Sequence, residues 1–171
     1  MSLSAYQASV PIFTQILGAL STTIGKAIAH AAAKKIDPAV FCQARLYPDM
    51  FAFTRQVQLA ADFAKNTSAR LAGQEPPKWA DEEKTFEELQ GRIARTLAFA
   101  RSLPKADIEA GGERMITLPI RGQPMTFVGN IYLMHFALPN FYFHATTAYA
   151  ILRENGVELG KLDFVGTPPT A

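Results

Sequence analysis

Residues 130–156 read NIYLMHFALPNFYFHATTAYAILRENG. Leu133, Ala137, Phe141, Ala148 and Ile151 recur along this stretch at steps that place them on one side of a helix. The spacing predicts a helix from Asn130 to Asn155, closed by Gly156 and kinked at Pro139, whose ring removes an N–H and crowds the preceding turn. Asn140 and His144, four residues apart, share the apolar side. A long amphipathic helix with an imidazole and a carboxamide in its seam needs other helices to cover it.

Three upstream segments supply them. From Ser9, read as N-cap, and Pro11, the residues Val10, Phe13, Leu17, Leu20, Ile24, Ala27 and Ala31 mark a stripe that runs to Lys34 or Lys35. Asp37-Pro38 starts a short helical turn. Met50, Phe53, Val57, Ala60, Ala64 and Leu71 form the second long stripe, ended by Gly73, and residues 74–80 with Pro76-Pro77 are a loop. Thr85 and Glu88 have capping-box spacing before Phe86, Leu89, Ile93, Leu97 and Ala100. In that third stripe Glu88 and Arg92 read as an outer i,i+4 pair, and Pro104 stops the helix.

Between the third and fourth helices the period changes to two. Ile116, Leu118 and Ile120, the turn Arg121-Gly122-Gln123, then Met125 and Phe127 predict a short β-hairpin or extended loop. Pro119 and Pro124 confine it to an edge ribbon. The expected fold class is therefore all-α, a four-helix bundle with that ribbon between helices 3 and 4. One domain spans residues 1–166; the chain beyond Gly160 reads as loose, with 167–171 as a C-terminal tail.

The chain has 171 residues, 49% hydrophobic and 19% charged, enough to bury one core. Lys+Arg 17 less Asp+Glu 15 leaves +2, with the cations scattered, which disfavours a nucleic-acid surface and leaves a helix-turn-helix regulator as the remotest reading. A single cysteine, Cys42, forms no internal disulfide and suits a cytoplasmic, reducing location. The N-terminus lacks the basic and apolar regions of a signal peptide, and no run of apolar residues reads as a membrane span. Phosphate loops, nucleophile elbows and H-E-x-x-H are missing from the sequence.

His144 is the strongest candidate for chemistry, either as a ligand-binding or acid/base imidazole or as a core histidine bonded to its neighbours. Asn140 shares that side, and Gln56 on the second helix reads either as a boundary glutamine with its amide in water, the commoner case, or as an amide facing the same region; Phe53 and Phe141 beside them read as core rings or as apolar lining. Phe51, Tyr142 and Phe143 add to that aromatic surround. His135 falls half a turn out of phase with His144, and His30 sits near the end of the first helix. Cys42 has no partner histidine in view and reads as an inert thiol.

The segment His144–Val157, HATTAYAILRENGV, resembles the last-helix signature of the DinB/YfiT-like superfamily, in which a histidine is followed by Leu-Arg and then Gly. Arg45–Phe51 (RLYPDMF), Ala69–Pro77 (ARLAGQEPP) and Phe136–His144 (FALPNFYFH) resemble an uncharacterised domain-of-unknown-function family within it, from Ser4 to Phe164. The resemblance implies a bundle cavity in which three histidines hold a divalent metal, thiol-dependent transferase activity in some members, and homodimers. Carried over, His144 takes the last histidine position, while Asn140 and Gln56 stand where the other two would be. Carboxamides are weak ligands for zinc or nickel. The expectation is a degenerate triad and a cavity that binds a small molecule with no cofactor. The alternative is a transferase or hydrolase that uses His144 with a weakly bound zinc or nickel ion.

Overall fold

The computed structural model describes residues 4–169, and the chain is mostly helical with one two-stranded ribbon. Helix α1 covers Val10–Lys34, α2 Pro38–Gln43, α3 Phe53–Leu71, α4 Phe86–Ser102 and α5 Lys105–Ala110. A 3₁₀ turn at Gly111–Glu113 leads into strands β1, Met115–Ile120, and β2, Gln123–Val128. Then follow α6 (Gly129–Tyr132), a π-helical turn at Leu133–Ala137, α7 (Leu138–Glu154) and α8 (Lys161–Val165). The start of the domain at residues 1–3 and the end of the tail at residues 170–171 lie outside the described residues.

Each long helix buries most of the stripe its spacing predicts; Met50 lies in the bend before α3 and Leu97 is only half-buried. Phe13, Leu17, Ile24 and Ala27 of α1 are sealed, as are Phe53, Val57, Ala60 and Ala64 of α3. Helix α3 is central, packing on α7, α4 and α1, while α1 also lies against α4 and α7. Edge-on aromatic contacts cross between elements, Phe13 on Phe141 at 4.9 Å and Phe53 on Phe86 at 5.8 Å. By length and composition α1 is apolar enough to cross a membrane, contrary to the sequence reading. Its composition follows from two sources, the aliphatic stripe against the core and the Gly, Ala and Thr residues elsewhere on its surface.

The capping box at Thr85 is formed, with Glu88 N donating to Thr85 Oγ1 at 3.2 Å and Thr85 N donating to Glu88 Oε2 at 3.0 Å. Ser9 precedes α1 as expected but does not cap it. The chain before it coils into a buried turn, and its hydroxyl donates backward to the Ala5 carbonyl at 2.6 Å. At Pro139 the chain answers the missing N–H with the π turn, a wider coil just ahead of the ring. Beyond Gly160 the chain is not loose. Helix α8 docks on α1 through Lys26–Asp163 at 2.6 Å and Gln15 Nε2 donating to the Val165 carbonyl at 2.9 Å.

The ribbon is a hairpin. Ile120 pairs with Gln123, so only Arg121 and Gly122 turn the chain, both with positive φ (50° and 79°) as a type I′ turn demands. Ile116 and Leu118 are buried against the helices. At the ribbon's base two glycines allow backbones to touch: a methyl on Gly129 would overlap the Gly111 carbonyl, and one on Gly111 the Leu71 carbonyl.

Candidate functional site

Gln56 on the first turn of α3 and His144 midway along α7 are both buried, at 1% and 8% exposure. They meet: His144 Nδ1 lies 2.8 Å from Gln56 Oε1. The amide's other end fixes the polarity of this bond. Gln56 Nε2 donates to the Phe51 carbonyl at 3.2 Å, so Oε1 is the end that faces the ring and must accept. His144 therefore carries its proton on Nδ1 and keeps a lone pair on Nε2. That nitrogen has no protein partner among the described residues and is not among the sealed unpartnered atoms, so it reaches solvent.

Burial, with a smaller contribution from the positive charge of Arg55, pushes the His144 pKa down to about 4. At neutral pH the ring is uncharged, an acceptor at Nε2 and a donor at Nδ1. Phe63 stacks along the imidazole at 5.7 Å and Phe143 meets it edge-on at 5.3 Å. On the Gln56 side of the pair a small cleft of about 170 Å³ is lined by Asp49, Met50, Phe51, Gln56 and Phe143; His144 reaches it only through its bond to Gln56 and its edge-on contact with Phe143. An apolar cavity of this size accommodates a molecule such as benzene. Phe51 and Phe143 leave more than half of their surfaces exposed around it.

The other candidates are placed differently. Asn140 turns away from the imidazole, its Nδ2 donating to the Phe136 carbonyl at 2.7 Å beside the π turn, where a helix carrying Pro139 has backbone acceptors to satisfy. Phe53 and Phe141 have no exposed surface. They pack on Phe86, Phe13 and Tyr142 as core rings and do not line the cleft. His135 is exposed, and His30 packs edge-on against Phe41 at 5.9 Å. Cys42 is buried and its thiol pKa is raised, by desolvation first, as an inert thiol requires.

The donor set does not fit a transition metal. No group of three His, Cys, Asp or Glu residues able to hold an ion occurs among the described residues. Gln56 Oε1 already accepts from the imidazole, and Asn140 is held by Nδ2 on the Phe136 carbonyl, so only its Oδ1 remains, a neutral carboxamide oxygen that zinc and nickel disfavour. A single free imidazole nitrogen is short of the three protein ligands typical of a catalytic zinc site.

Arg92 corrects another expectation. It does not pair with Glu88 on an outer face; its side chain is 1% exposed. Nη1 donates to Glu83 at 2.9 Å and to the Ala80 carbonyl at 3.0 Å, and Nη2 reaches Asp62 at 2.9 Å and Asp81 at 2.8 Å. Glu88 is engaged in capping α4. The loop from Trp79 to Glu83 is thus tied to α3 and α4, with Trp79 between Lys65 at 4.6 Å and Arg95 at 4.0 Å. Nothing local distinguishes a solvent-facing arginine from one covered by a distant loop; the only signal was the acidic run Asp81-Glu82-Glu83.

Three comparisons place these observations. A crystal structure of a DinB family member protein from Shewanella denitrificans is similar to this chain, with 42% sequence identity over 97% of this chain and 94% of that one, and a TM-score of 0.90. No curated protein matches. The sequence profile described as "Domain of unknown function (DUF1993)" matches residues 5–165. With nearly its whole length matched, the chain belongs to the DUF1993 family and is DinB-like.

Proposed function

We propose that this protein is a DinB-like four-helix bundle whose former metal position has become a metal-free site for a small molecule, centred on the His144–Gln56 pair. The observation that carries the reading is the free Nε2 lone pair of a neutral imidazole whose other nitrogen is committed to an amide. Such a ring accepts a hydrogen bond from a ligand hydroxyl, thiol or amide, while Phe51 and Phe143 cover its apolar part. The cleft's volume sets the ligand class: a compact molecule with one hydrogen-bond donor.

A second reading takes the same nitrogen as a general base in a transferase or hydrolase. An unprotonated imidazole at neutral pH is what proton abstraction from a thiol or water requires. We further propose a cytoplasmic location, dimerisation through helix faces, and no nucleic-acid or membrane partner.

Elemental analysis of protein purified without chelators separates the ideas. Zinc or nickel well below one ion per chain is expected, and stoichiometric metal would overturn the metal-free reading. A thiol-plus-electrophile panel tests the enzyme reading, which requires turnover that His144→Ala abolishes while the helical circular dichroism persists.

A further inference from the structure

A second concavity, of about 260 Å³, lies between α3 and the hairpin. Asp62, Phe63, Asn66 and Arg70 line it from α3, where steps of three and four put them on one face, and Pro119 and Phe136 close it from the other side. It lies apart from the cleft beside Gln56, and nothing derived above uses its polar groups as a set.

Arg70 is the unusual member. None of the ion pairs among the described residues includes it, although it stands in a concavity with aromatic walls. Its Nη1 donates to the Tyr132 hydroxyl at 3.2 Å, and that hydroxyl lies 3.3 Å from Thr67 Oγ1. Tyr132 is fully buried, so a rigid phenol holds the guanidinium from behind and leaves its other N–H groups unassigned. A planar fork held in this way matches the two oxygens of a carboxylate.

The other end of the cleft offers an acceptor. Both ion pairs of Asp62, to Lys65 and to Arg92, use Oδ1, which compensates its charge and leaves Oδ2 free. Asn66 lies between the two charged residues. Phe63 and Phe136, with ring centroids 6.1 Å apart, form the apolar walls, and Phe136 extends the stack onto Phe127 and Tyr132. Eight residues of helix separate Asp62 from Arg70, a rise of about 12 Å. An arginine on a helix leans back toward the N-terminus, which carries the Arg70 guanidinium over the part of the cleft lined by Asn66.

We propose that this cleft binds a small aromatic carboxylate. Its carboxylate sits on Arg70 and its ring lies against Phe63 and Phe136. A hydroxyl or amine at the far end of the ring donates to Asp62 Oδ2. The site is independent of the His144 reading, though its wall Phe63 also stacks on the His144 ring.

The probe is 4-hydroxybenzoate, added to the full chain and followed by calorimetry and by the NMR shift of the Asn66 side-chain amide. Saturable binding below about 1 mM is expected, with the amide resonance moving along the same isotherm. The uncharged analogue 4-hydroxybenzamide should bind about tenfold more weakly or worse, as should 4-hydroxybenzoate to Arg70→Gln. Asn66→Ala, which leaves Arg70 and its phenol partner in place, should weaken binding several-fold. Lys34→Ala, exposed at the end of α1 and outside both clefts, should retain it. No saturable binding, equal affinity for the amide analogue, an unaltered Arg70→Gln, or loss of binding in Lys34→Ala would each overturn the proposal.

Discussion

Helix α3 carries two buried polar arrangements less than two turns apart, and they differ in what they leave over. At Asp62 the partner is Arg92, whose two terminal nitrogens meet three carboxylates and a carbonyl; its Nε alone has no partner. At Gln56 the partner is His144, which makes one hydrogen bond and presents a second nitrogen to solvent. The first arrangement fastens a loop to two helices. The second holds a ring in one tautomer and orientation beside an opening. A polar group whose bonds all end within the protein is a structural fastener, whereas one held at one end and free at the other is arranged for a ligand.

The largest test removes the fastener. Arg92→Met leaves Asp62, Asp81 and Glu83, which are 22%, 37% and 17% exposed, without their shared cation, and a loss of about 3 kcal/mol in denaturant unfolding is expected. A cost near zero would mean that the carboxylates simply rehydrate and that the two regions do not differ in kind.

Next comes pH. With the folded pKa of His144 at about 4 and an ordinary value of 6.5, the unfolded chain takes up a proton first as pH falls. The contribution is therefore fully present above pH 6.5 and is lost as pH drops from 6.5 toward 4, by about 3 kcal/mol in all. Urea midpoints across that interval should show the slope, and His144→Gln should flatten it. An NMR titration placing the imidazole at its ordinary pKa would contradict the buried, neutral assignment.

A double-mutant cycle then tests the pair itself. Gln56→Leu strands the imidazole N–H and should cost about 1–3 kcal/mol. Adding His144→Phe removes the stranded group, so the double variant should be more stable than the sum of the single losses predicts. Strict additivity would show that the 2.8 Å contact carries no coupling. The smallest effect belongs to Asn140→Ala, about 1 kcal/mol for the lost bond to the Phe136 carbonyl, with the His144 pKa unmoved. A shifted His144 titration in that variant would return Asn140 to the site.

Much of the fold was legible. The stripes of α1, α3, α4 and α7, the capping box at Thr85, the αL glycine after α3 and the two-residue periodicity of the ribbon are local properties, written in residues three, four or two apart. The inward-facing imidazole followed from the same spacing. Asn140 shows the limit of that reasoning. Helical spacing put it one turn from His144 in α7, but its amide donates back to the Phe136 carbonyl in the π turn instead of meeting the imidazole, a choice that spacing does not contain.

The sequence by itself therefore determined the helices, their buried faces and the family, because helix periodicity and capping depend on neighbours within a few positions. Only the tertiary structure decided that Arg92 is an interior residue, that α8 docks on α1, and that Arg70 faces an aromatic cleft without an anion. Each of these depends on groups brought together across tens of residues, as Arg92 and Asp62 are, or Arg70 and Tyr132. Whether such a charge is covered, paired or left free is set by packing between elements, a quantity that no short window of sequence contains.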